Sequence, residues 1–523
     1  MYRLIISHET RAMARTGALW SILVLLVAAI LFAAWAGGRS IDRQVKGATD
    51  AQTFEEADRA RMRKETEAYE LQVAASGGTY EFATVRHSPG QGPPQGTNAG
   101  AVGAETAAYV ALPPTGLAAM SVGQSDIQLN YLPVSMGTTL DMVKNLEIEN
   151  PVNLQTGSLD IAFVVIFLLP IFILAMTYDL LSSERERGTL AMILAHPVSL
   201  REFMASKIVA RAAVVLTVVL ALGLVALLSV GTQLESGETW LRFGLWMLAT
   251  VLYCVFWFAL AVLVNVYGTS SATNGTVLAG AWLLLVVVIP TLVSLLATTI
   301  YPAPSRMDLI VAAREAQTAG EKEIQKSLDR FYSDHLDYVP VGDQKAMDFL
   351  TLSQANAASI EKALLPLYDD FKAQINRQEE LVQRFQYVSP AIMMQLALNE
   401  ASGNSADRYE DFLDQAYRFR TEWNEYFAER FLKREPLRPV DYDTFPVFRY
   451  QPEPSSAVLM RLAPSLVGLL VACLGVMLVP FLGSRRLALM LGEQDLPINR
   501  KRMQRLMRQM GIAALGPKPR TTR

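Results

Sequence analysis

The chain has 523 residues, 51% of them apolar and only 19% charged, with a net charge of −3 and a mean hydropathy of +0.23. A soluble protein is nearer a quarter charged, and the slight negative balance excludes a strongly basic nucleic-acid binder. Both cysteines, Cys254 and Cys473, sit inside apolar runs, which excludes a disulfide-stapled secreted scaffold.

The apolar residues gather in six uncharged runs long enough to cross roughly 30 Å of hydrocarbon as helices. In chain order these are 18–36, 161–178, 212–231, 243–266, 276–300 and 462–483. The reading is a mainly α-helical polytopic membrane protein with six transmembrane helices and two large extracytoplasmic insertions, mostly helical with some β. Pro170, Pro290 and Pro464 fall inside runs. Kinks rather than breaks are expected there, because neighbouring helices can satisfy the freed carbonyls.

Six spans put both termini on one side. Segments 1–17, 179–211, 267–275 and 484–523 hold eighteen Lys and Arg against seven Asp and Glu, a net +11 that leaves −14 for the rest of the chain. The positive-inside rule places these segments in the cytoplasm. Residues 38–160 and 301–461 then lie outside, more than half of the chain. Arg11 and Arg15, the apolar stretch and Ala34-Trp35-Ala36 also fit a signal peptide with a cleavage site, but the stretch is longer than a usual signal core. Residue 38 emerges outside on either reading.

In the first insertion, residues 52–74 are dense in charge with no Gly or Pro and predict a solvated helix leaving span one. Residues 88–104 hold five Gly and three Pro and predict an unstructured loop. Beyond Pro113-Pro114 and Gly123-Gln124-Ser125-Asp126, the alternation of Ile127, Leu129 and Tyr131 predicts a turn and a short strand.

The second insertion predicts helices near 305–337, 343–383, 389–401 and 406–433. Ser389-Pro390 is a strong helix start, with Ser as N-cap and Pro at the first helical position. Phe412, Ala416, Phe419, Trp423, Phe427 and Phe431 recur every three or four residues, the pattern of a packed face rather than of a ligand site. A proline-rich return, 441–454, leads back to span six.

The catalytic signatures sought are missing. There is no Gly-x-x-x-x-Gly-Lys-Ser/Thr phosphate loop, no His-Glu-x-x-His zinc motif and no Gly-x-Ser-x-Gly elbow, and the four histidines are scattered. The runs contain no Asp, Glu, Lys or Arg, which ion-coupled carriers usually place at mid-membrane. Transport by this chain therefore implies an energy source in another chain. No enzyme activity, cofactor or metal site is expected, and neither is a nucleic-acid partner.

The most informative stretch follows span two: Asp179-Leu-Leu-Ser-Ser-Glu184-Arg-Glu186-Arg-Gly188-Thr189-Leu190-Ala-Met-Ile193-Leu194-Ala-His-Pro197-Val-Ser199-Leu-Arg201-Glu202-Phe-Met-Ala-Ser-Lys207. It reads as a helix end, a Gly-Thr hinge, a short apolar helix, a Pro stop and a second helix. Ser199 and Glu202 have capping-box spacing. From spacing alone, a loop that merely joins two spans and a surface that receives force from a soluble partner are equally open.

Glu-x-Glu-x-Gly-Thr-Leu followed by Pro-Val-Ser-x-x-Glu-Phe and Lys resembles the loop after the second span of ABC-2 type permeases. The six spans and the amphipathic segment before span one, Tyr2, Ile5 and Ile6 against Arg3, Arg11 and Arg15, are similar as well. The outer motifs Pro113-Pro114, Gly123-Gln-Ser-Asp126, Asn150-Pro151, Leu159-Asp160-x-x-Phe163 and Ser389-Pro390-Ala391 resemble the subfamily with a large extracytoplasmic domain of unknown function.

The resemblance implies that Glu184, Glu186, Gly188 and Thr189 form the turn into a coupling helix. Leu190, Ile193 and Leu194 would lie on its contact face, within 190–194, and Pro197 would end it. Arg201 and Lys207 read as membrane-interface anchors, and Asp126 and Asp160 as turn or helix caps. The implied partners are a separate ABC ATPase subunit, a second permease chain (identical or a sister) and the lipid bilayer. The implied location is the bacterial inner membrane, multi-pass, with both termini cytoplasmic. Two functions follow: an exporter permease, or a mechanotransmission complex acting on an outer process such as metal or siderophore handling without moving a substrate across. A membrane-bound enzyme is a third class, weakened by the missing catalytic groups.

Overall fold

The computed structural model describes residues 2–15, 17–83, 92–126, 128–136, 159–189, 200–268, 270–302, scattered positions within 311–334, and 349–493. Helix α1 (Tyr2–Arg15) precedes α2 (Gly17–Ser76), which contains span one. Span two is α4 (161–177), after a short α3 (Ala99–Glu105) in the outer region. A brief α5 (Ser182–Glu186) follows it. Spans three, four and five are α6 (Leu200–Val230), α7 (Gly237–Tyr267) and α8 (Ser271–Ile300). The outer helices α9 (Phe349–Phe385), α10 (Pro390–Ser402) and α11 (Ala406–Leu432) lead to α12 (Ser455–Glu493), which holds span six. Among the described residues six helices are long and apolar enough to cross a membrane, one for each run expected from the sequence.

The helix of span one does not end near Ala36. It continues as one 60-residue rod, roughly 90 Å long at 1.5 Å per residue. Residues 39–76 contain no Pro and a single Gly, and are otherwise rich in helix formers, so nothing in them stops the helix. Gly37 and Gly38 allow close contact where the rod leaves the bundle. A Cβ on Gly37 would collide with the Ala119 carbonyl, and one on Gly38 with Val230 at the outer end of span three.

Spans two and four form the centre. They are the most covered of the six, and Trp246, Tyr253 and Trp257 of α7 are fully buried. Helix α10 packs between α7 and α12, and its walls are Met393, Met394, Ala397, Leu398 and Ala401. Its start is the one expected: Ser389 Oγ accepts from the Ala391 and Ile392 amides, and Gly403 at φ +72° closes the far end in the left-handed region.

A separate core lies outside the bundle. Met62 of α2, Ala99 and Val102 of α3, a two-stranded sheet, the aromatic face of α11 and Leu437, Tyr442 and Phe445 of the return segment pack together. Phe412, Ala416, Phe419, Trp423, Phe427 and Phe431 are all buried there, so the stripe is a packed face. Strands β1 (Ala108–Ala111) and β2 (Tyr131–Val134) pair antiparallel, with Ala108 opposite Val134 and Ala111 opposite Tyr131.

The region expected as a loop, 88–104, contains the start of α3, capped by the Asn98 side chain on the Ala101 amide. Its glycines serve packing. A Cβ on Gly100 would strike the Phe431 ring, and one on Gly103 would strike Met136 and Phe427. Most of the helix expected at 305–337 lies outside the described residues.

Asp160 ties the two regions together. Its Oδ1 accepts the Phe163 amide at 2.7 Å and caps span two, while Oδ2 accepts the Val122 amide at 2.7 Å and the Gly123 amide at 3.2 Å. The 113–123 strap is also fastened to the junction of α10 and α11: Asn404 between them donates to the Ala118 and Ser121 carbonyls, and Arg408 of α11 donates to Pro113 O. Asp160 is therefore a cap, as expected; the Asp126 side chain lies outside what is described.

Candidate coupling loop

Span two ends in a tight turn, and α5 carries the Glu-x-Glu motif. Gly188, at φ +71°, terminates α5, with its amide on the Arg185 carbonyl. Nothing lies within 4 Å of where its Cβ would be, so glycine is used here for backbone conformation alone. The sequence places its Gly-Thr turn at this position.

The two glutamates point to different helices. Glu184 Oε1 lies 2.9 Å from Lys207 Nζ on span three, and the Thr189 hydroxyl donates to its other oxygen. Lys207 is nearly buried and also lies over the Phe203 ring at 4.9 Å. It was expected to reach the membrane interface as an anchor. It instead turns inward, because a carboxylate within reach and an aromatic face stabilise a desolvated ammonium better than isolation would.

Glu186 reaches the start of span five. Its Oε1 accepts the Ser271 amide at 2.7 Å and its Oε2 the Ser271 hydroxyl at 3.1 Å, at a helix N-terminus that favours negative charge. Ser182 and Ser271 hydroxyls are 2.8 Å apart, and Arg185 donates to the Gly268 carbonyl at 2.8 Å.

Two further clusters hold the same turn. Asn265, fully buried near the end of span four, donates to the Thr177 carbonyl at 2.9 Å and accepts the Leu181 amide at 3.4 Å. Asn274 of span five donates to Asn265 Oδ1 at 3.2 Å and to the Tyr178 carbonyl at 3.3 Å. On the other flank Arg211 of span three pairs with Glu9 of α1 at 2.9 Å and with Asp179 at 3.1 Å, and also donates to the Met176 carbonyl. The loop's first half is thus tied to spans three, four and five and, through Arg211, to α1.

Of the residues assigned from sequence, Glu184, Glu186, Gly188 and Thr189 come together in this turn. Leu190, Ile193, Leu194 and Pro197, with Ser199, lie outside the described residues; helix α6 is described from Leu200, next to the expected cap. Sequence reasoning missed Arg211, Asn265, Ser271 and Asn274. The signal was present: Asn265 and Asn274 flank Gly268 and Ser270-Ser271 at the facing ends of two apolar runs, where an amide side chain has little but another helix to bond. Among the described residues no group of three or more His, Cys, Asp or Glu could hold a metal ion.

A family model described as ABC-2 family transporter protein matches residues 3–484. A second, described as HTH-like domain, matches residues 480–520, a stretch that starts inside α12 and lies mostly beyond the described residues. No curated protein matches the chain.

Proposed function

The chain belongs to the ABC-2 transporter family, and from that premise we propose that it is the permease subunit of an ATP-driven exporter whose ATP hydrolysis takes place in a separate subunit. The observation that carries this is the anchoring of the turn after span two. Glu184 on Lys207, Glu186 on Ser271 and Asn265 on Thr177 tie the turn to spans three, five and four. A push on residues 190–197 would then reach three spans rather than be absorbed by a slack connection. Glu184, Glu186, Gly188 and Thr189 shape the turn, Leu190, Ile193 and Leu194 bury against the ATPase, and Pro197 ends the contact.

A second permease chain completes the pathway. Spans one, three, five and six leave most of their apolar surface uncovered within one chain, which supports a partner permease alongside lipid. The +11 charge excess of the terminal and loop segments supports a bacterial inner-membrane protein with cytoplasmic termini.

One observation favours the mechanotransmission alternative. Helix α2 runs unbroken from span one into the outer core, where Met62 is buried, so a movement of span one is delivered outside without an intervening joint. Reconstitution separates the two readings. ATP-dependent release of a solute across the bilayer supports export. ATP-dependent movement of the outer core in a bilayer that remains sealed to solutes supports mechanotransmission.

A further inference from the structure

Spans two and five share a defect at matching places. Each contains one turn wound wider than an α-helix, Val164–Leu168 in span two and Leu283–Val288 in span five, and each has a proline two residues after that turn, Pro170 and Pro290. In both, the residue before the proline bonds five residues back, Leu169 to the Val164 carbonyl and Ile289 to the Leu284 carbonyl. The next bond in the series would come from the proline nitrogen, which has no hydrogen to give. Carbonyls are thereby freed within apolar spans, where water is scarce.

Side chains from other elements donate to carbonyls of both turns. The Tyr253 hydroxyl of span four donates to the Ile166 carbonyl at 2.9 Å. Trp282 Nε1, one residue before the span-five turn, donates to the Phe167 carbonyl of the span-two turn at 3.2 Å. The Ser389 hydroxyl, at the tip of α10, donates to the Leu285 carbonyl, the group that the Pro290 nitrogen cannot serve.

The flanks of the two turns are held at opposite ends. On the cytoplasmic side, span two runs into the coupling turn, and the start of span five is held by Glu186. On the outer side, span two is held by Asp160 to the strap, and Val293 and Ala297 of span five pack on Leu381 and Ile392 of the outer helices. Sharp bends in helices fall at prolines and at wide turns, where fewest regular backbone bonds are lost.

We propose that spans two and five bend together at these paired wide turns, and that the Ser389 hydroxyl is the latch holding the span-five half in place. The hinge deepens the permease reading by naming where force from the loop is turned into span movement, and it rests on that reading only for the purpose of the bend. Ser389 is a positioning residue, since it acts through the Leu285 carbonyl.

The test places spin labels at Thr276 and Thr299, on either side of the span-five turn, in the full chain in lipid nanodiscs with Cys254 and Cys473 replaced by Ala. The unmodified latch should give one distance population. Ser389→Ala should add a second, shorter one, and Ser389→Thr, which keeps the hydroxyl, should not. Pro290→Ala supplies the missing N–H to the Leu285 carbonyl, so Ser389→Ala in that background should add no second population. If Ser389→Ala leaves the distances unchanged, or acts equally with and without Pro290, Ser389 serves only as the cap of α10 and the latch is overturned. The distance measurement needs neither ATPase nor transported solute, so it stands or falls separately from the permease reading.

Discussion

The Glu186 carboxylate grips Ser271 with both oxygens, one on its amide N–H and one on its hydroxyl, across a sequence separation of 85 residues. The contact joins the end of span two to the start of span five. Hydrogen bonds to an ionised group are among the stronger ones in proteins, though an exposed site weakens them. Glu186→Ala should therefore cost about 1 kcal/mol of thermal stability in the purified chain and lower ATP-dependent activity of the assembled complex by a larger factor than that loss explains. Parallel measurement of unfolding and ATPase activity checks it; equal, small effects on both would make the contact merely structural.

Asn265 is the more demanding position. It is fully buried and serves the Thr177 carbonyl, the Leu181 amide and Asn274 at once. Asn265→Leu strands the Leu181 amide and takes one of two partners from the Thr177 carbonyl and from Asn274, and should cost about 1–3 kcal/mol, seen as lower yield and a lower unfolding temperature. Asn265→Leu combined with Asn274→Leu should cost less than the sum of the two single changes, because each removes the other's stranded partner.

Glu184 and Lys207 follow similar logic with charge. Removing one member leaves a desolvated ion, whereas removing both leaves none. Glu184→Gln, which strands the nearly buried Lys207, should destabilise by about 2–3 kcal/mol, and adding Lys207→Met should recover much of it. Thermal unfolding of the four proteins gives the coupling; strict additivity would mean that the ion pair contributes nothing.

Outside the membrane, Glu379 carries a pH dependence. Burial, with the neighbouring Glu410 and Asp407, pushes its carboxyl up to about 7 from an ordinary 4.5. A carboxyl raised on folding favours the folded state while it is protonated. Its contribution is complete below about pH 4.5, declines as pH rises, and is gone once pH passes about 7. Glu379 is partly exposed, so solvent screening limits the effect to about 1–2 kcal/mol. The difference in unfolding temperature between Glu379→Gln and the unmodified chain should widen from pH 5 to pH 8 in favour of the variant. A constant difference would place the titration elsewhere.

The six spans, the start of α10 at Ser389-Pro390 and the buried face of α11 were legible in the sequence because each follows from one local rule: length of an apolar run, cap chemistry, or period. Pro170 and Pro290 were legible as irregular points in their spans, but not the wide turns beside them or the side chains that serve them, since those depend on which helices become neighbours. Strand β1 and helix α3 were missed for the same reason. Four residues of Ala108–Ala111 carry little signal without knowledge that Tyr131–Val134 lies alongside. The glycines of α3 look like a loop until the rings of Phe427 and Phe431 are placed against them. At the turn after span two the motif residues were visible and their partners were not, because Lys207, Ser271 and Asn265 are distant in sequence and only the bundle brings them together.

The central claim concerns residues 190–197, read as a helix whose apolar face buries against an ATPase. Ile193→Asp places a charge on that face, where it would be desolvated without a partner at a cost of several kcal/mol. The direct measurement is the amount of ATPase that co-purifies with the chain, with and without Ile193→Asp, at matched membrane abundance. The expected result is unchanged abundance of this chain and loss of the ATPase. An ATPase that remains bound and active with Ile193→Asp, or none bound to the unmodified chain, would contradict it and leave the loop a simple connection between spans two and three.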